Sequence, residues 1–254
     1  MSEDATSNRT GEMPFLAHLE ELRTALIRSA KALGIGMIIA CVGAGQIMEL
    51  LSLPLVYAGE DPAFLEPGSP FGGISVAARV VMWSGLILSG PFIVVFMAGF
   101  VAPGLYSREK STVVKSGIGA VVLFALGALM GFRVVTPEAL RMMEQVNNWF
   151  GFDPSFYLLP EYVSFVLRLT FCFGVAFELP VIILLLGHMG LVNVDQLRDK
   201  RNVVIIVLLL IGMLLTPPDP YTQLLMAVPM CLLYEACIWI MWFKERAAGK
   251  RDAA

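Results

Sequence analysis

The sequence predicts an all-α polytopic membrane protein, a single integral domain with six transmembrane helices. Three observations predict it. The chain of 254 residues is 57% hydrophobic and only 15% charged, with a mean hydropathy of +0.74. Apolar runs long enough to cross about 30 Å of hydrocarbon recur along it. The lysines and arginines gather in alternate connections, which sets both termini on the inner side.

A polar tail over residues 1–12 is expected to be disordered. It carries no basic region followed by a short apolar core, so it does not read as a cleavable signal. The stretch Pro14–Arg23, PFLAHLEELR, leads into the first span. Read as a helix, Phe15, Leu19, Leu22 and Leu26 fall on one narrow apolar stripe, with Glu20, Glu21 and Thr24 opposite and Arg23 near its edge. A short amphipathic helix over 13–23 is therefore expected in the interfacial plane, with its acids in water. It reads either as an orientation anchor or as half of an acidic receptor site for a cationic partner.

The first span covers about 24–47. The stretch Met48–Ser75 holds Glu49, Glu60, Asp61 and Glu66 without any Lys or Arg, and reads as an outer loop rich in Pro and Gly. The second span, about 76–101, contains Pro91, which is expected to kink it. Arg108 and Lys110 flank Glu109 in the short connection Ala102–Thr112, an inner loop. The third span covers about 113–135, with Gly127 and Gly131 at GxxxG spacing. Thr136–Pro160 reads as outer, with a helical stretch before Asn147. The fourth span, about 161–186, contains Glu178 followed by Leu179 and Pro180. The loop His188–Asn202, with Arg198, Lys200 and Arg201, is inner. A short fifth span, about 203–216, ends in Pro217-Pro218-Asp219-Pro220. The sixth, about 221–243, is read as interrupted by Pro229 and followed by a cytoplasmic tail over 244–254.

Composition excludes several functions. The net charge of −3 and the lack of a basic cluster outside short loops exclude a nucleic-acid binder. Cys41, Cys172, Cys231 and Cys237 sit in apolar runs without CxxC spacing, and read as small buried hydrophobes, neither disulfides nor metal ligands. No nucleophile–base pair and no phosphate-binding glycine loop is present, so neither a catalytic site nor a cofactor is expected.

Glu178 is the costliest residue. An ionised carboxylate at mid-membrane costs at least about 2.5–3.5 kcal/mol on insertion scales, so it must be protonated, reach a polar cavity or pair. Arg168 lies ten positions away, about 15 Å along the axis, too far to be its partner on that helix. Glu109 between two cations reads as a neutralised surface acid or a binding group. Asp219 suits an N-cap for the sixth span. Met213, Thr216 and Gln223 flank the same turn, where the two polar residues can serve a partner helix or ordinary packing.

Several stretches, in order, resemble one family. FLAHLEELR, FVAPGLYSREK, FELPV and GMLLTPPDPYTQLLMAVPMCLLYE are similar to the signature segments of TatC, the core subunit of the Sec-independent twin-arginine translocase. The similarity extends from about Met13 to Phe243. It implies a concave, glove-like arrangement with short fifth and sixth spans, in a bacterial cytoplasmic membrane. It implies a signal-peptide receptor for folded cargo, working with the single-span partners TatA and TatB in an oligomer of TatB–TatC units and driven by the proton-motive force. By the same resemblance Glu21 and Glu109 receive the two arginines, near Phe100, Leu22 and Arg23; Pro54, Glu178 and Asp219 are functionally sensitive; and Met213, Thr216 and Gln223 form the contact surface for TatA and TatB. Ser111 departs from the pattern, standing where a second basic residue often follows. Two other readings compete: a proton-coupled secondary transporter using Glu178, and an intramembrane protease, against which the missing nucleophile–base pair counts.

Overall fold

The computed structural model describes residues 15–101, 110–152, 157–188, 192–215 and 220–251. Five helical stretches are long and apolar enough to cross a membrane: His18–Val42, Gly72–Phe100, Gly117–Phe150, Leu159–Gly187 and Gln223–Phe243. Arg201–Leu210 is a shorter apolar helix, in the place of the expected short fifth span.

Helix α1 (Phe15–Val42) is continuous. The amphipathic segment expected to be a separate interfacial helix is simply its first turns, because nothing between Arg23 and Gly34 breaks the hydrogen-bond ladder. Its leucine stripe faces outward, where lipid would cover it. Leu19 and Leu26 are exposed, while Ala25, Ser29 and Ala40 are buried against α4 (Gly72–Val101). Small residues win the packed face because in lipid the drive is close van der Waals approach, which leucine obstructs. At Gly36 a Cβ would sit 2.6 Å from the Gly85 carbonyl oxygen, and at Gly85 a Cβ would meet the Met37 side chain at 2.6 Å.

The stretch expected as an irregular outer loop is largely helical. Helices α2 (Ala44–Leu51) and α3 (Leu53–Ala58) precede a 3-10 turn at Pro62–Phe64. Strand β1 (Leu65–Glu66) then pairs in parallel with β2 (Tyr157–Leu158). Gly59, at φ 101°, closes α3 in a left-handed conformation that suits glycine.

Helix α5 (Lys110–Met130) passes through a π-helical turn, Gly131–Val135, into α6 (Thr136–Phe150). The expected boundary at Val135 is thus a change of helical pitch, not an end. Pro137 has no N–H to offer Arg133, and the Thr136 hydroxyl donates to the Gly131 carbonyl at 2.8 Å instead. The α6 helix continues past Asn147. Together α2, α3, α6 and the strand pair form a cap at one end of the bundle. Its core is Leu51, Leu55, Val76, Val80, Phe132, Leu140, Tyr162 and Val163. The Tyr162 hydroxyl donates to the Leu51 carbonyl at 2.7 Å, and Arg141 donates to the carbonyls of Tyr57 and Ala58 at the end of α3.

Helix α7 (Leu159–Ala176) gives way at Phe177–Glu178 to α8 (Leu179–His188). Pro180 cannot donate to the Ala176 carbonyl, so the ladder breaks inside the expected fourth span. Helices α9 (Val194–Asp199) and α10 (Arg201–Leu215) lead to α11 (Pro220–Arg251). This last helix corrects two expectations. It runs through Pro229 instead of being interrupted there, and it continues through most of the expected tail to a length of 32 residues, while its apolar span, Gln223–Phe243, stays close to the expected 221–243. Helix α4 carries Pro91 without ending there; neighbouring helices make proline tolerable inside a span. Among the cysteines, Cys172 and Cys237 are buried and Cys231 partly so, but Cys41 is exposed, on the outward face of α1.

Candidate functional site

At the end of the bundle away from the cap, the first turns of α1 run alongside the last turns of α4. The His18 imidazole stacks on Phe100, with ring centroids 4.5 Å apart and planes at 23°. Glu21 lies one turn beyond His18 on the same side of α1, three residues on. It is half-buried, and its Oε2 is buried with no hydrogen-bond partner among the described residues. The acid expected to point into water is therefore turned into the α1–α4 seam. Glu20 behaves as expected: it is exposed and pairs with Arg23 at 3.6 Å, both side chains being more than 70% exposed. Such a pair contributes little. Leu22 is half-buried.

Glu109 lies outside the described residues, one position before α5 begins at Lys110. Because α4 ends at Val101, directly after Phe100, the connection carrying Glu109 joins the two helix ends at this same end of the bundle. Glu21 with an unpartnered oxygen is thus a hydrogen-bond acceptor held on a stiff helix, and it suits a planar cationic donor. His18 was not singled out as a site residue in the sequence. Its spacing of three from Glu21 and eighteen before Gly36, on the α4-facing side, is the signal that would have found it.

The second locus is the break after α7. Glu178 is fully buried, at 0% exposure, and both carboxylate oxygens lack hydrogen-bond partners among the described residues. Its backbone N–H donates to the Val175 carbonyl at 3.0 Å, and its own carbonyl accepts from Ile182 at 3.1 Å. Phe177 and Leu179 beside it pack with Leu169, Phe173, Leu208 and Met230. The close fit of α5 on the end of α7 places the break: a Cβ on Gly127 would approach the Phe177 Cβ to 2.7 Å. Arg168 makes no ion pair with Glu178, as the spacing predicts.

Pro54 is buried at the start of α3, where its missing N–H is harmless and its fixed φ suits the first turn. Met213 on α10 is 55% exposed. Gln223 spends one amide hydrogen within the fold: Nε2 donates to the Leu209 carbonyl at 3.0 Å, tying α11 to α10. Thr216 and Asp219 lie outside the described residues. Three fasteners had no clear signature in the sequence. Arg201 pairs with Glu235 at 2.8 Å, the Tyr234 hydroxyl donates to the Leu197 carbonyl, and Arg79 donates to the Pro160 carbonyl and the Ser164 hydroxyl.

Among the described residues no group of three His, Cys, Asp or Glu side chains is placed to hold a metal. Five helical stretches able to cross a membrane, packed through small-residue seams around one buried acid at a helix break, define a multi-pass helical membrane protein. The comparisons make this specific. The family model TatC, Sec-independent protein translocase protein, matches residues 17–229. The chain is 37% identical to the Sec-independent protein translocase protein TatC of Azotobacter chroococcum mcd 1, over 88% of this chain and 87% of that one. It is 34% identical to the TatC of Aquifex aeolicus (strain VF5), covering 90% and 94%, and 34% identical to that of Escherichia coli (strain K12), covering 94% and 92%. A crystal structure described as the twin arginine translocase receptor TatC superposes with a TM-score of 0.77 at 34% identity, covering 88% of this chain and 98% of that one. The chain belongs to the TatC family. It is a multi-pass component of the Sec-independent translocase and not an enzyme, which leaves the protease reading without ground.

Proposed function

We propose that this chain is the signal-peptide receptor of its translocase, with Glu21 and Glu109 together receiving the arginine pair of a folded cargo's signal. The observation that carries the reading is Glu21: half-buried beside the His18–Phe100 stack, with one carboxylate oxygen unpartnered among the described residues. Water is scarcer there than at an open surface, so a guanidinium gains more from pairing than it would in bulk. The planar fork of arginine matches a carboxylate with two parallel hydrogen bonds, whereas lysine offers only a point charge. Leu22 and Arg23 border the site, and Phe100 forms its wall. The similar crystal structure is itself described as a receptor.

In this reading both termini and the 102–109 connection face the cytoplasm, the cap faces outward, and the membrane is a bacterial inner membrane. The signal's apolar segment lies along a concave face beside the short α10. TatA and TatB, single-span subunits, dock on the α10–α11 corner through Met213, Thr216 and Gln223. TatB–TatC units assemble as an oligomer, and the proton-motive force drives transport. Glu178 supplies a polar point within the apolar interior, while Pro54 and Asp219 fix the turns that frame it.

The test is site-specific photocrosslinking of a twin-arginine precursor in membranes, beside an Arg-Arg→Lys-Lys precursor. Crosslinks at positions 21 and 109 that vanish with Lys-Lys are expected. Equal crosslinking by both precursors would show that the acids sense charge alone and that recognition lies elsewhere.

A further inference from the structure

Helix α7 is enveloped on nearly every side. Tyr162, Val163, Ser164, Val166, Leu167, Leu169, Thr170, Cys172, Phe173 and Gly174 are all buried. Its exposed positions are Glu161, Arg168 and Val175 alone. They stand at i, i+7 and i+14, a strip one residue wide. Neighbours account for the rest of the circumference. Helix α4 covers one flank through Arg79–Ser164 and Trp83–Phe171. Helix α5 and the π turn that follows it cover another, where Gly127 and Gly131 meet Phe173. Helices α10 and α11 close in through Leu208 and Met230 against Cys172.

The middle position of the strip is a cation. Arg168 makes no hydrogen bond, ion pair or ring contact among the described residues. The other arginines toward the cap are all engaged: Arg79 with Glu161 at 3.3 Å, Arg133 over the Tyr57 ring at 5.4 Å, and Arg141 with Glu138. Arg168 lies nine residues from the start of α7, about 13.5 Å along the axis. Side chains on a helix lean toward its N-terminus, so the guanidinium is carried part of the way back toward the cap. It still falls short of the level where Glu161 is paired. A guanidinium at that depth is stabilised by a paired anion.

We infer that the Glu161–Arg168–Val175 strip seats a transmembrane helix of a partner subunit, whose carboxylate pairs with Arg168 about two turns below the cap side of the membrane. Seven-residue spacing is the seam along which a second helix packs at a crossing angle of about +20°. A two-chain lipid has no use for such a register. Val175 supplies the apolar contact one heptad deeper, and Glu161, already neutralised by Arg79, ends the seam at the water. The inference rests on the proposed function only in taking single-span subunits as partners.

The test uses the full chain in nanodiscs of zwitterionic lipid. The probe is a synthetic Leu/Ala single-span helix bearing one Glu at the matching depth, with Gln and Lys versions beside it, and binding is read by fluorescence transfer. The Glu helix should bind the wild type about tenfold more tightly than the Gln helix, the scale expected of a strong interhelical polar contact in lipid. Arg168→Gln should erase that preference, and Arg168→Glu should transfer it to the Lys helix. Two results would each overturn the assignment: equal binding of the Glu and Gln helices to the wild type, or a preference that survives Arg168→Gln. Loss of the preference on adding anionic lipid to the wild type would also overturn it and give the site to a lipid phosphate. Precursor crosslinking near Glu21 should be unchanged in Arg168→Gln, so failure here and failure of the receptor reading are separable.

Discussion

Replacing Glu178 by leucine should make the protein more stable and less able to transport. The carboxylate is fully buried, and neither oxygen has a hydrogen-bond partner among the described residues. A buried polar group left unsatisfied costs about 1–3 kcal/mol, and apolar neighbours such as Phe177 and Leu179 lose nothing to a leucine. Leucine lacks roughly one heavy atom of reach, so a small void returns about 1 kcal/mol of that gain. The net is about 0–2 kcal/mol. In a chain of this length that raises the thermal midpoint by up to roughly 8 °C, at about 2–4 °C per kcal/mol. The assay is thermal unfolding of purified protein in detergent, followed by size-exclusion recovery, with cargo export measured in parallel. Glu178→Gln, which keeps a polar group without charge, should hold stability near wild type. A leucine variant that melts several degrees lower would refute the reasoning, because it would mean the carboxyl is satisfied in the membrane. A leucine variant that exports normally would remove Glu178 from the transport role.

Gly36→Leu should loosen α1 from α4, because even its Cβ lands 2.6 Å from the Gly85 carbonyl; overpacking of this kind costs about 1–3 kcal/mol, read as a lower melting midpoint. Phe100→Ala removes the ring on which His18 stacks and should weaken arginine-pair crosslinking at position 21 without changing the midpoint by more than a few degrees. In the cap, burial and then the neighbouring Glu144 raise the Glu60 carboxyl above its ordinary range, with a hydrogen bond between the two acids. An acid whose folded value is raised stabilises the fold at low pH and loses that contribution as pH climbs through the raised value. Hydrogen exchange over residues 53–66 should therefore speed up as pH rises through and above the carboxylate range, after correction for intrinsic rates, and Glu60→Gln should flatten the trend. Arg141→Met should speed exchange in α3 as well, since it removes donors from the Tyr57 and Ala58 carbonyls.

The long apolar helices were legible in the sequence because lipid enforces length and hydropathy with few exceptions. The cap was not. Its acids and prolines mark an extramembrane stretch, but the folding of α2 and α3 onto α6 depends on long-range fasteners such as Tyr162 to Leu51 and Arg141 to Tyr57, separated by 111 and 84 positions. Glu21 was read as facing water because it lies opposite the leucine stripe; in lipid the small residues Ala25, Ser29 and Gly36 decide the seam, and the acid beside them is half-buried. Arg168 was dismissed as a partner for Glu178, correctly, but its place on the heptad strip became visible only once the neighbours of α7 were known.

The unbroken run from α5 through the π turn into α6 has a mechanical consequence. From Lys110 to Phe150 the backbone forms one strut of roughly 60 Å at 1.5 Å per residue. One end is anchored at the connection that carries Glu109, and the other is bolted to the cap by Arg141. A strut transmits thrust and torque from end to end where a chain of loops would absorb them. The five residues at Gly131–Val135 are wound looser than the rest of it and are seated against Phe173, near the break at Glu178. Force applied at the 102–109 end has two outlets, the cap and this looser turn, and the turn bears directly on the helix whose break holds the buried acid.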